Sequence, residues 1–225
     1  MTFKTGSKWA VSDRVGVGVV VGLEAEARLA RRLGVPVEIG GGHAEGAAAA
    51  AAQLAAQGVS GLVSFGLAGG LDPALAPGAI LVPRAVLLDA GQWDADPALM
   101  DRLGGPTPGT LYGGGQIVAT ARDKAALHAR TGAVAVDLES AAVADVARQH
   151  GLPFAVLRAV CDPATRGLPR AALVALDAAG RIDAWRVGIA VLARPWEVPA
   201  LVRLARDAAR ARHTLVTRVR TLGRL

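Results

Sequence analysis

Short apolar runs rich in valine, each closed by glycine or proline and set apart by helical stretches, constrain this chain most. Val15–Gly22, Val35–Ile39, Ser60–Phe65, Ala79–Leu88, Gln116–Ala119, Ala133–Leu138 and Phe154–Val160 read as strands. Helices are expected from about Glu24 to Leu33, through the alanine-rich stretch ending at Gln57, and over Arg122–Arg130 and Ser140–Gln149. Strands that are apolar throughout need cover on both faces, so the spacing predicts an α/β fold with a mostly parallel sheet between helical layers. The Gly- and Pro-rich stretch from Ala90 to Leu111, which carries Trp93, is expected to form a loop or lid. Beyond Asp162 the chain turns helical, with a break at Arg194-Pro195-Trp196 and a long basic helix after Pro199. Repeats and linkers are missing from the pattern, which predicts one domain over 1–225 with 194–225 as a basic helical extension.

Composition narrows the classes of function. The 225 residues are 52% hydrophobic and 20% charged, enough for a sizeable core and unlike a disordered chain. A single cysteine excludes a disulfide framework and a cysteine-based zinc site, and the four histidines are scattered, so no metal is expected. A reducing cytosol is the expected compartment. Aromatic residues make up only 4%, which argues against a base-stacking platform for nucleic acid. The net charge of +6 is concentrated at one end: from Leu201 onward seven arginines face only Asp207, so residues 1–200 balance to zero. The plain reading of this end is a helix with its apolar side on the sheet and a solvated basic side. The sharper reading is an interfacial helix on anionic lipid, at the inner face of the membrane. Arg-rich helices also bind nucleic-acid phosphates, but a neutral body makes a nucleic-acid partner unexpected.

Two stretches imitate membrane or targeting signals. Gly46–Leu71 is uncharged and long enough to span a bilayer, yet it is mostly Ala and Gly, with Gln53, Gln57, Ser60 and Ser64 inside and Gly58 dividing it. Lys4, Lys8 and Arg14 precede the apolar Val15–Leu23, but Glu24 and Glu26 follow at once without a cleavage site, so a buried first strand is expected.

In an open parallel sheet, ligands bind beyond the carboxyl ends of the strands. The acids found there are Glu24 and Glu26, then Asp137 and Glu139 beside Leu138 and Ser140, then Asp162 after Cys161. Each also has a plain reading, as a first-turn acid on a helix dipole or as a cap. Glycine clusters at Gly40-Gly41-Gly42 and Gly66-Leu67-Ala68-Gly69-Gly70 suggest close approach of a ligand, such as an anion at a helix start, although neither has dinucleotide or P-loop spacing.

Four segments together resemble one family. Gly61-Leu-Val-Ser-Phe-Gly-Leu-Ala-Gly-Gly-Leu71, Gly78-Ala-Ile-Leu-Val-Pro83, Ala135-Val-Asp-Leu-Glu-Ser-Ala-Ala-Val143 and Phe154-Ala-Val-Leu-Arg-Ala-Val-Cys-Asp162 are similar in order and spacing to the superfamily of purine nucleoside phosphorylases and methylthioadenosine/S-adenosylhomocysteine nucleosidases. The Arg-Pro-Trp break and arginine-rich end resemble the hopanoid-associated phosphorylase branch, thought to act on adenosylhopane. The resemblance implies a three-layer α/β sandwich, an enzyme cleaving an N-ribosidic bond, and a homo-oligomer. It implies that Asp162 neutralises the leaving purine at N7, that Glu139 holds the ribose hydroxyls with Leu138 on the sugar face, and that Arg158 positions nearby acids such as Asp137. Backbone groups near Ile117 and Val118 would receive the base.

Departures from the family pattern concern the attacking group. Where its phosphorylases place phosphate-binding arginines, this chain has Gly22-Leu-Glu-Ala-Glu26 and Ser64. Glu26 instead resembles the glutamate with which nucleosidases activate water, and a carboxylate there would repel phosphate. Phosphate stays open as a co-substrate, bound around Gly40, Gly41, Ser64 and Gly66 with charge from His43, Arg28 or a neighbouring subunit; no other cofactor is expected. A methylthioadenosine/S-adenosylhomocysteine nucleosidase, another purine nucleoside phosphorylase, and a non-catalytic nucleoside- or lipid-binding protein are the alternatives. Cys161 lacks a histidine partner in sequence and reads as a small buried residue rather than a nucleophile.

Overall fold

The computed structural model describes residues 16–89, 91–174 and 194–225. Its strands are β1 (Gly18–Val21), β2 (Val37–Ile39), β3 (Leu62–Gly70), β4 (Ile80–Leu81), β5 (Ala85–Leu88), β6 (Gly91–Asp94), β7 (Leu111–Gly113), β8 (Ala135–Asp137) and β9 (Phe154–Asp162). The helices are α1 (Glu24–Ala30, extended by a 3-10 turn over Arg31–Leu33), α2 (Ala44–Ala56), α3 (Pro97–Arg102), α4 (Ala121–Thr131), α5 (Ser140–Gln149), α6 (Arg170–Val174) and α7 (Val198–Leu222). The strands form one sheet in the order β2-β1-β3-β8-β7-β5-β6, with β9 along β3 and β4 along β9. Pairings β1–β2, β1–β3, β3–β9, β5–β7 and β7–β8 are parallel; β3–β8, β4–β9 and β5–β6 are antiparallel.

The central strands bury both faces, as their apolar composition requires. Val19 and Val21 of β1, Val63 and Phe65 of β3, and Ala155, Leu157 and Ala159 of β9 point to a core shared with α1, α3 and α7. Their neighbours Val20, Leu62, Phe154, Val156 and Val160 point the other way, onto Leu54 of α2 and Val143 of α5. The basic helix α7 lies on the first of these cores through Ala211, Leu215 and Val219, spaced four apart, while Arg203, Arg206, Arg210, Arg212 and Arg220 are exposed. Among the described residues no helix is long and apolar enough to cross a membrane; the uncharged run 46–71 is divided between α2 and β3.

Several expected boundaries move. Gln116–Ala119 is not a strand; the chain pairs earlier, at Leu111–Gly113, a short run that ends in the first of three successive glycines. The expected strand Ala79–Leu88 is split at Pro83 into β4 and β5, which pair with different partners. The region expected as loop holds β6, a hairpin partner of β5, and α3, where Asp96 Oδ1 accepts from Leu99 N at 2.8 Å and Pro97 opens the helix. Strands β3 and β9 continue past Phe65 and Val160, so the glycines of 66–70 and the Cys161-Asp162 pair are strand residues, with Gly69 opposite Asp162 after a register shift. Residues Lys4, Lys8, Arg14, Val15 and Ala90, named in the sequence analysis, lie outside the described residues.

Candidate active site

Beyond the carboxyl ends of β1, β3, β8 and β9 lies a cavity of about 510 Å3. Its wall includes Glu26 of α1, Glu139 at the start of α5, and Arg158 and Asp162, both of β9. Gly41, His43, Ile117, Val118, Asp137, Leu138 and Cys161 also line it.

One buried cation organises the acids on one side of the cavity. Arg158, 2% exposed within β9, reaches Ser64 Oγ and Asp137 Oδ2 through Nη2 at 2.7 Å each, and Glu139 Oε2 and Ser140 Oγ at 3.3 Å. Its Nη1 donates to the Leu67 carbonyl at 3.4 Å, and its Nε has no hydrogen-bond partner among the described residues. Burial alone would push this guanidinium down, but Asp137, Glu139 and Glu26 around it hold it above its ordinary value. Asp137 also accepts from the backbone N–H groups of Glu139 at 3.3 Å and Ser140 at 3.1 Å, fixing the start of α5. Glu139 does not cap that helix. Its side chain turns to the cavity, where Oε1 accepts from Gly42 N at 3.2 Å. Burial raises its carboxyl above the ordinary range, against the pull of Arg158.

Glu26 is held by backbone alone. Oε2 accepts from Gly22 N and Leu23 N at 3.0 Å, and Oε1 from Leu67 N at 3.1 Å. Burial raises this carboxyl too, and Arg158 and the three N–H groups partly offset it. A carboxylate so poised is a stronger base than an exposed one. Glycine is required beneath it, because a Cβ on Gly66 would lie 2.6 Å from both Glu26 Oε1 and Arg158 Nη1. The first-turn neighbour Glu24 stays outside, in an exposed ion pair with Arg31 at 2.9 Å.

The opposite wall carries Asp162, 8% exposed at the end of β9. Cys161 Sγ donates to its Oδ1 at 3.1 Å, and burial pushes that thiol well above its ordinary value, which disfavours a nucleophilic thiolate. The other carboxyl oxygen meets Lys124 Nζ, which also donates to the carbonyls of Pro163 at 3.0 Å and Arg166 at 3.1 Å. Sequence reasoning missed Lys124. It sits in the first turn of α4 among charged residues, and the available signal was its helical spacing from buried Leu127.

The expected anion site does not assemble as drawn. Ser64 is fully buried against Arg158 and Ser140 and does not line the cavity. Gly40 packs on α2, where a Cβ would lie 2.7 Å from Ala47 Cα, and Gly66 lies under Glu26. The glycines thus admit the chain's own side chains. Arg28 is exposed and off the cavity wall. His43 is on the wall, with Nδ1 accepting from Gly46 N at 3.1 Å as a helix cap. Among the described residues no cluster suited to a metal ion occurs. A separate hollow of about 700 Å3, beside Tyr112 and Arg130 and across the 116–118 segment, contains none of the expected catalytic acids.

Comparisons with known proteins agree with this architecture. Residues 92–181 match the model of the phosphorylase superfamily. A futalosine hydrolase of Streptomyces coelicolor is 34% identical over 155 residues, which are 59% of this chain; the match spans 60% of that relative's length. A methylthioadenosine/S-adenosylhomocysteine nucleosidase of Helicobacter pylori superposes with a TM-score of 0.64 at 16% identity, covering 92% of this chain and 97% of that one. The corresponding nucleosidase of Colwellia psychrerythraea, solved with adenine, gives 0.63 at 18%, covering 94% and 98%. The chain is thus similar in sequence to the phosphorylase superfamily over part of its length and similar in fold to its nucleosidases, and neither finding singles out a branch.

Proposed function

We propose that this chain is a nucleosidase of the phosphorylase superfamily, hydrolysing the N-ribosidic bond of an adenosyl compound. The observation that carries the reading is the meeting of Glu26, Glu139 and Asp162 around one cavity whose buried arginine is already committed to protein acids. Glu26 takes a proton from water as its oxygen attacks C1′. Glu139 accepts from the ribose hydroxyls and faces the cationic sugar, with Leu138 beside it. As the C1′–N9 bond breaks, charge develops on the purine and is neutralised at N7, where a proton is shared with Asp162. The backbone near Ile117 and Val118 receives the rest of the base. Phosphate is disfavoured as the attacking group, because the position it needs is occupied by Glu26 and its three backbone donors.

For the substrate we favour adenosylhopane. Leu23, Leu67, Ile117, Leu168 and Leu173 give the cavity apolar wall beyond what a ribose requires. Trp196, Val198 and Val202 are exposed at the start of α7, beside the outward arginines, a pattern suited to peripheral contact with the inner face of a membrane. The extension 194–225 would then serve a one-domain, homo-oligomeric enzyme in delivering a lipid-borne nucleoside. The methylthioadenosine nucleosidase reading uses the same chemistry on a soluble substrate.

Adenine release from adenosylhopane and from methylthioadenosine, each with and without phosphate, tests both parts. Release independent of phosphate and faster with adenosylhopane is expected. A strict phosphate requirement with formation of ribose 1-phosphate ends would end the hydrolytic reading, and an unchanged rate for Asp162→Asn would end the site assignment.

A further inference from the structure

We propose that Glu197 is a positioning residue for substrate binding: from the start of the basic extension it holds α6 so that Leu173 walls the cavity where the group on C5′ lies. The inference rests on the reading above that the apolar wall beyond the ribose meets that group.

The sequence of α6 shows why it needs an outside partner. The first N–H groups of a helix have no acceptor within it, and a side-chain oxygen just ahead of the helix often supplies one. Here the residues ahead of Arg170 are Leu168 and Pro169, whose side chains carry no acceptor. Ala172 N and Leu173 N turn back to the Pro169 carbonyl, at 3.0 and 3.3 Å. Ala171 N instead donates to Glu197 Oε2 at 3.0 Å, from 26 residues along the chain. Ala171 is fully buried, so its N–H left without an acceptor would be strongly disfavoured.

The turn Pro195–Glu197 ahead of α7 faces two ways. Trp196 is exposed, whereas the Glu197 side chain is 16% exposed and reaches α6. A second tie comes from the same extension. Asp207 of α7, buried, accepts from Arg166 Nη2 in the segment between β9 and α6. Leu173 lies two residues beyond Ala171 in the same helical turn and lines the cavity, so its side chain follows the placement that Glu197 fixes. The segment beside Asp162 is held separately. Lys124 Nζ donates to the carbonyls of Pro163 and Arg166, and Leu168 N donates to the Ala119 carbonyl at 2.7 Å. Loss of the Glu197 bond should therefore displace Leu173 and spare the base.

Kinetics with methylthioadenosine or adenosylhopane, whichever is cleaved faster, set beside calorimetric binding of adenine, which has no 5′ group, test this on the full chain. Glu197→Ala should raise KM at least about fivefold, as partial loss of apolar contact implies, with kcat and adenine affinity within about twofold of wild type. Glu197→Gln keeps an acceptor oxygen for Ala171 N and should return KM to within about twofold. Leu173→Ala should raise KM as well, and adding Glu197→Ala to it should raise KM by less than about twofold more, because the one acts through the other. Effects that multiply in the double variant would overturn the proposal. So would an unchanged KM in Glu197→Ala, or an adenine affinity that falls in step with it, the mark of a merely structural loss. If Glu197→Ala does not fold, Glu197→Asp, which draws the acceptor back by one methylene, enters the same cycle with an expected rise of about two- to threefold. A wild type that releases adenine from neither nucleoside fails the nucleosidase reading and the inference with it; intact hydrolysis with multiplying effects fails the role of Glu197 alone.

Discussion

The two walls of the cavity balance charge differently. On the wall assigned above to the sugar a single guanidinium, Arg158, lies among Asp137, Glu139 and Glu26; on the wall assigned to the base the Lys124 ammonium meets one carboxylate, Asp162. The first arrangement leaves an excess of acid where a cationic sugar would form, and burial keeps Glu26 and Glu139 reluctant to ionise. The second ties one carboxyl oxygen to Lys124 and leaves the other, in contact with the Cys161 thiol, toward the cavity. A pocket of uniform acidity would serve only one half of the proposed hydrolysis, since the sugar becomes positive while the base becomes negative.

The largest expected effect is from removing the shared cation. Arg158→Met leaves at least two carboxylates without their partner in a buried setting and should cost about 3–5 kcal/mol of folding stability. Lys124→Met removes the partner of only one, so its cost should be smaller. Urea unfolding of the two variants side by side measures the difference. Equal losses would mean that the sugar wall is no more dependent on its cation than the base wall is.

Next comes the split between binding and chemistry. Glu26→Gln should lower nucleoside hydrolysis by about a hundredfold to ten-thousandfold, the usual worth of a general base. Adenine binding should stay as in wild type, because Glu26 belongs to the sugar wall. Parallel rate assays and calorimetry check this, and a matching loss of adenine affinity would merge the two walls into one.

The sequence displayed these walls unevenly. Glu26, Glu139, Arg158 and Asp162 stand at strand ends or in strands whose apolar composition is conspicuous, and topology alone predicts that strand ends converge. The alternating strands and helices likewise anticipated the two cores on either side of β1, β3 and β9. Lys124 was hidden because its partners lie 38 to 42 residues away along the chain and no spacing rule reaches them. The glycines misled for a related reason. Sequence reports that a side chain is excluded at Gly66, but not whether a ligand or the chain's own Glu26 and Arg158 occupy the space. Strand β7 was misplaced because three residues paired on both edges need little intrinsic strand character.

A smaller effect concerns pH. The Glu26 carboxyl is raised above its ordinary value of 4.5. It must be ionised to act as base, so the acid limb of the rate profile should lie above that value. Stability should move the other way. Glu139 is also raised in the folded state, so what its protonated form contributes is full below the unfolded value and is lost as pH rises through the folded one. Relative to wild type, Glu139→Gln should therefore gain stability as pH rises above 4.5, as read by unfolding at several pH values. A difference independent of pH would show that Glu139 does not titrate as a buried group.

The smallest expected effect compares the packing of the two walls through one methyl group each. A Cβ on Gly22 would lie 3.0 Å from Glu139 Oε2 and 3.1 Å from Oε1, on a carboxylate already fixed by Gly42 N and Arg158. Glu139 would have to shift by a few tenths of an ångström and weaken both bonds, so Gly22→Ala should destabilise by about 1 kcal/mol. On Gly69 the same Cβ would meet Asp162 Oδ1 at 3.4 Å and Oδ2 at 3.5 Å, ordinary contact distances. Gly69→Ala should change stability by less than about 0.5 kcal/mol, because the strand conformation at Gly69 suits alanine and no partner needs to move. Thermal unfolding of the two variants resolves a difference of this size. The reverse order would mean that the sugar wall has slack and the base wall has none, and the tight hold on Glu139 would then have to come from elsewhere than its contact with Gly22.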